Sequence, residues 1–211
     1  MGFSTLIDIL GAMVLGGLML LTIRAFNGNV NENSSKYHSD LIVQQNLVSI
    51  VELIEYDFSR LGYCEDPAKI PKQEDMIIKA DSNSIEFCTD LAVSSSEYRG
   101  DGILDTLRYE LGEDINNTPN PNDKLLYRYI PGYDKDASNL GITHFSIIYF
   151  DNFGNLLPHP INTQLIASMQ IDIKLEDCYG YDTDNIDKSH SEKFQTALWR
   201  QIRLATKNIS R

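Results

Sequence analysis

The sequence predicts an α+β protein: a long N-terminal helical region, apolar in its first half, with its second half laid on an antiparallel sheet. Three observations carry this reading. The run Phe3–Ile23 holds 21 residues with a single formal charge, Asp8. Apolar residues then recur at helical spacing up to Leu61. Beyond Gly62 the helical period stops, and short strand-like segments alternate with turn residues.

Charge divides the chain in the same place. There are 18 Lys and Arg against 30 Asp and Glu, a net charge of −12. Within residues 1–30 only Asp8 and Arg24 are charged, and they cancel, so the acidic excess lies on the remainder. This predicts a hydrophobic transmembrane or assembly helix over 1–26 and an acidic α+β body over 27–211. No nucleic-acid partner is expected, because phosphate contacts need clustered Lys and Arg.

A 21-residue helix spans roughly 30 Å, about one bilayer core. A cleaved secretory signal fits poorly: no Lys or Arg precedes Arg24, and Arg24-Ala25-Phe26 is a poor cleavage site. Asp8 stands out, since a carboxylate in an apolar helix costs about 2.5–3.5 kcal/mol on insertion scales unless it is hydrated or paired. It therefore either stays hydrated near the membrane surface or meets a cation from another molecule. Gly11, Gly16 and Gly17 allow close helix approach, although the five-residue step from Gly11 to Gly16 is not the GxxxG spacing.

Asn27–Ser35 (NGNVNENSS) is rich in helix breakers and capping residues and reads as a break or a softened stretch, with Ser34 or Ser35 capping a new helix from about Lys36 to Leu61. Leu47, Val51, Ile54, Phe58 and Leu61 form its buried stripe, extended by Tyr37 and Leu41. Glu52, Glu55, Asp57 and Arg60 are expected to face elsewhere, and Gly62 to supply a left-handed stop. Strands are expected at Met76–Ala80, Ser84–Cys88, Thr106–Leu111, Lys124–Ile130, Thr143–Phe150, Asn155–Leu157 and Leu165–Leu175. Asp81-Ser82-Asn83 closes a hairpin, Gly112–Asp123 is a polar loop, and Phe194–Ala205 reads equally as strand or helix.

Gly2-Phe3, the hydroxyl pair Ser4-Thr5 and Leu6-Ile7-Asp8-Ile9-Leu10 resemble the N-terminus of type IV pilins and type II secretion pseudopilins. Glu55–Cys64 is similar to the end of the long helix in large minor subunits, the J- or W-type among them. The pair TLRYEL and KLLYRYI resembles two adjacent strands of the same proteins, and Trp199–Ile209 resembles their final strand. The resemblance implies a pilin-like fold with one long N-terminal helix. It implies that Gly2 ends a leader, Phe3 begins the mature chain and a prepilin peptidase cuts between them. Asp8 would neutralise the new amine of a neighbouring subunit. It stands sixth from Phe3, one place beyond the family's glutamate, and the family's basic leader is not among the two residues before Phe3.

On this resemblance the chain is expected to be a minor pilin or pseudopilin-like subunit. It would span the inner membrane once with its body outside the cytoplasm and assemble with other pilin or pseudopilin subunits, priming a filament or sitting at its tip. The rival reading is a single-pass anchored binding or sensory domain that never polymerises. Arg24 and Lys36, on the body side of the span, mildly oppose export of the body.

Cys64, Cys88 and Cys178 allow three single disulfides. Cys64–Cys88 is preferred because it would clip the helix end to an early strand, with three unpaired thiols as the alternative. Asp182, Asp184 and Asp187 offer closely spaced oxygen ligands for calcium, but the loop is not an EF-hand: position six is Asp187 rather than glycine, and Glu192 falls at position eleven. A solvated acidic loop is the other reading. His38, His144, His159 and His190 are scattered, with His159 between two prolines in a loop, and no catalytic motif is present, so neither an enzyme nor a cofactor is expected.

Overall fold

The computed structural model describes residues 2–91, 100–115, 118–132, 135–177 and 197–205. One helix, α1, runs from Gly2 to Ser59 over 58 residues. Seven strands follow: β1 (Ile77–Ala80), β2 (Ser84–Thr89), β3 (Asp105–Asp114), β4 (Lys124–Tyr129), β5 (Asp136–Phe150), β6 (Ser168–Glu176) and β7 (Ala197–Ala205). They form a single antiparallel sheet in chain order β1 to β7. The chain divides into two compact units, Met1–Leu41 and Ile42–Arg211.

The helix passes through Asn27–Ser35 without the expected break. Four Asn, two Ser, a Gly and a Val make this stretch about 5 kcal/mol poorer in helix propensity than alanine would be. None of them removes a backbone donor, and no Pro stands before Pro67. Restarting a helix after a break carries a nucleation cost, so uninterrupted propagation remains available.

In the second unit the helix buries Val43, Ile50, Val51, Ile54 and Phe58, with Leu47 partly covered, and Leu61 is buried in the turn just past its end. They pack with Ile85, Phe87, Leu107, Tyr109, Phe145, Ile147, Ile171 and Ile173 from the middle strands. Phe58 sits tilted against Phe87 and Tyr109, with ring centroids 5.1 and 5.5 Å away. Tyr37 and Leu41 do not extend the stripe; both are exposed.

Asp57 also departs from expectation, being 1% exposed rather than facing outward. The steps Ile50, Ile54, Asp57, Leu61 are four, three and four, so Asp57 occupies a core position of the helix.

Past Ser59 the chain tightens, with Leu61 N–H donating to Phe58 O at 3.2 Å and Tyr63 N–H to Arg60 O at 2.8 Å. Gly62 then takes φ of +71°, the expected left-handed stop, and its N–H donates to Cys88 O at 2.8 Å. This ties the helix end to β2.

Asp81–Asn83 makes the expected hairpin, pairing Ala80 with Ile85. The strands β3 and β5 run longer than the sequence suggested: β3 starts one residue earlier, where Asp105 pairs with Thr89, and reaches Asp114 past a register shift after Leu111, whereas β5 extends only at its N-terminal end, where Asp136–Ser138 pair with β4 across a second irregularity. Asn155–Leu157 contributes an isolated bridge, Phe150 to Leu156, rather than a strand. The ambiguous C-terminal segment is the strand β7. Ile202 pairs with Ile171 and is buried, whereas Gln201 and Arg203 stay exposed, which is the two-residue period of a half-buried strand.

Candidate functional site

Two places combine unusual chemistry with a defined position: the apolar end of α1, and a buried ionic cluster beneath the helix in the second unit.

In the apolar end, Phe3, Leu6, Ile7, Ile9, Leu10, Met13, Val14 and Leu15 are each between 54% and 81% exposed. The apolar residues cover every side of the helix, so no single face is set aside for packing. Among the described residues one helix, α1, is long and apolar enough to cross a membrane. Asp8 lies on this surface, exposed. A Cβ added at Gly11, Gly16 or Gly17 would meet nothing within 4 Å, so no contact inside the chain demands glycine there.

The cluster consists of Asp57 on α1 and Tyr109 on β3, both buried, and Arg128 on β4, which is half-buried. Tyr109 and Arg128 are direct cross-strand partners, so the two side chains rise side by side toward the helix. Arg128 Nε donates to Asp57 Oδ2 at 2.6 Å and Nη2 to Oδ1 at 3.0 Å, a two-pronged pairing. The Tyr109 hydroxyl donates to the same Oδ2. Burial first, and then the neighbouring Asp57 carboxylate, push the Tyr109 hydroxyl well above the usual tyrosine range. The hydrogen bond to Asp57 raises Arg128 further, so the guanidinium stays charged. Three secondary-structure elements therefore meet on one carboxylate.

The sequence reading missed this cluster. The signals were present: an acidic residue at core spacing, and an Arg alternating with apolar residues in KLLYRYI. A buried carboxylate needs a cation, and Arg128 supplies it.

Near the helix end, Asp90 is fully buried and its carboxylate accepts three backbone N–H bonds: from Glu65 (2.9 Å), Asp101 (2.9 Å) and Gly102 (3.0 Å). Oxygens of Asp90, Asp101 and Asp105 lie within 4.8 Å of one another. The Asp105 carboxyl is raised, chiefly by burial and then by its two acidic neighbours, against a lowering bond from Leu91 N–H. The cluster organises the entry of β3.

Cys64 and Cys88 are buried free thiols, so the expected bridge between them is not formed. Cys88 Sγ faces Asp75 O at 3.5 Å, while Cys64 lies beside the Asp90 carboxylate. Burial raises both thiols. Cys178, the calcium candidates Asp182, Asp184 and Asp187, and Thr206–Ile209 of the chain end lie outside the described residues. His159 is exposed in its loop, as expected, 3.8 Å from Asp81.

The protein is thus α+β, with a long N-terminal helix that is apolar and exposed over its first half and packed on an antiparallel meander over its second. The architecture is similar to that of a type IV-like pilin from Thermus thermophilus, with a TM-score of 0.44 and 10% sequence identity over 80% of this chain and 98% of that one. No protein-family model matches the chain, and no curated protein matches it.

Proposed function

We propose that the chain is a pilin-type subunit: it is held in the membrane by Phe3–Ile23 and assembles with other pilin or pseudopilin subunits into a filament. The observation that carries this reading is the single helix α1, whose first half exposes apolar residues on all sides while its second half is committed to the core of an acidic body. A segment built this way gains by exchanging lipid contact for contact with like helices. The exposed Asp8 then finds its partner in the N-terminal amine of a neighbour, and Gly11, Gly16 and Gly17, which nothing inside the chain requires, admit a close neighbouring backbone.

In this reading a prepilin peptidase cuts between Gly2 and Phe3, and the body stands outside the cytoplasm. A subunit with so large a body suits priming or the tip better than a filament shaft. The Asp8→Ala variant tests the proposal. Sheared surface fractions should lose it while membrane fractions keep it. Retention of Asp8→Ala in filaments at wild-type level would overturn the assembly role and leave a membrane-anchored binding domain. Intact-mass analysis of the purified chain reads the cleavage separately.

A further inference from the structure

We propose that the crevice between the later half of α1 and strands β3 to β5 is a binding pocket for a medium-chain acyl ester, an apolar chain with an uncharged carbonyl at one end. The crevice encloses about 400 Å³. Ile50, Leu53 and Ile54 of α1 and Leu126 and Leu140 of the sheet supply its apolar wall. Tyr109 and Arg128 complete the lining with polar groups. All of these residues belong to the sheet-bearing unit. Small-ligand pockets measure about 300–1,000 Å³, are mainly apolar and carry a few fixed polar groups, which is the make-up of this crevice. Leu53, off the buried face of the helix and 43% exposed, has a role here as part of the wall.

Arg128 selects the head group. Its Nε and Nη2 are spent on Asp57, and among the described residues no acceptor meets Nη1. The side chain borders the crevice and is 31% exposed, so a ligand oxygen can take the remaining donors. Asp57 already cancels the guanidinium charge, and Tyr109 directs its hydroxyl proton to the same carboxylate. The pocket thus offers a hydrogen-bond donor without net positive charge. A ligand carboxylate would shed its water beside Asp57 with no free cation to compensate it. A neutral carbonyl needs one bond only. An ester brings acceptors alone, whereas an amide adds an N–H that an apolar wall leaves unpaired.

Two polar ties frame the crevice. Asn46 Nδ2 donates to Leu140 O at 3.3 Å and fastens α1 to β5, and the Asp57 pairing fastens it to β4. The helix residues that line the crevice fall between these ties in sequence, so its walls are fixed at both ends. Water is a poor occupant, because it needs two to four polar partners and the wall is mostly apolar. A chain of about eight carbons suits a pocket at the small end of the usual range. The proposal depends on neither membrane insertion nor filament assembly.

Titration of the full chain in amphipol with methyl octanoate, followed by NMR of labelled Ile and Leu methyl groups, tests the pocket. Ile50, Leu53, Ile54, Leu126 and Leu140 should shift along one saturable curve, with the Arg128 Nε–H signal, while Ile85 and Ile171 stay in place. Sodium octanoate should bind at least tenfold more weakly. Ser49→Trp, an exposed position that lines the crevice, should fill it and weaken the ester at least tenfold. Leu53→Asn, also at an exposed position, makes the wall polar and should weaken binding severalfold. Far-UV circular dichroism confirms that both variants are folded. Non-saturating shifts, shifts confined to Phe3–Ile23, equal affinity for ester and octanoate, or unchanged binding in Ser49→Trp would overturn the proposal. Shifts at the same methyl groups that follow protein concentration without ester would also overturn it, in favour of a second copy as the occupant.

Discussion

Leu10 and Ile54 lie on the same helix, yet Leu10 is 54% exposed and Ile54 is 0% exposed. The early half of α1 is apolar on every side and buries none of it among the described residues, whereas the later half buries one apolar face, leaves Ile42, Val48 and Leu53 exposed off that face and turns Glu52 and Glu55 outward. A helix meets its backbone needs internally and so does not care what surrounds it; the side chains decide. The later half specifies a partner inside the chain. The early half specifies none among the described residues, and in the proposed reading its complement is lipid or another helix.

The comparison is broken most forcefully by removing what fixes the later half. Asp57→Ala should lower the stability of the sheet-bearing unit by about 3–5 kcal/mol, because Arg128 and Tyr109 lose their shared acceptor. Urea denaturation followed by circular dichroism reads this loss. The double variant Asp57→Leu, Arg128→Met should recover most of it, since an apolar pair of similar volume leaves no charge uncompensated. A double variant as unstable as the single one would show that the cluster does more than satisfy itself.

Next in size is truncation in each half. Ile54→Ala should cost about 2–5 kcal/mol by leaving a cavity against the sheet. Leu10→Ala, measured by the same unfolding transition, should move it by less than about 0.5 kcal/mol. Equal effects would mean that the early half, too, is held by the body.

Gly62→Ala sharpens the boundary where the helix ends. The residue sits at φ +71°, and an added Cβ would lie 2.7 Å from the Met76 sulfur. A loss of about 1–3 kcal/mol is expected in the same assay.

The smallest effect is electrostatic and follows pH. Asp105 has its carboxyl raised in the folded chain, so the folded state holds that proton more firmly than the unfolded one. Its contribution is favourable below the ordinary carboxylate range and is lost as pH rises through the raised value. Asp105→Asn removes this penalty and keeps an acceptor for Leu91 N–H, so Tm at pH 7 should rise by roughly 1–3 °C. The difference should vanish below about pH 4.

The sequence alone exposed the helix stripe, the stop at Gly62, the first hairpin and most strand positions. Each depends on period or on the chemistry of one or two residues. Of its two readings of Asn27–Ser35, a break or a softened stretch, the break does not occur, because propensity is local while helix continuity is cooperative. It turned Asp57 outward because charge argues for solvent, and only the cross-strand pairing of Tyr109 with Arg128 supplies a reason to bury it. The preferred Cys64–Cys88 bridge failed for a similar cause: proximity to the same structural corner does not aim two sulfurs at each other.

What the sequence by itself determined is the division of the chain, an apolar segment marked by Asp8 and an acidic body with alternating strands. Those features are set by transfer free energies and by the two-residue and 3.6-residue periods, which need no knowledge of distant neighbours. Only the tertiary structure decided the strand order, the depth of Asp57 and the fate of the two thiols. Each of these rests on residues far apart in the chain meeting at atomic distance, and a linear pattern does not record that meeting.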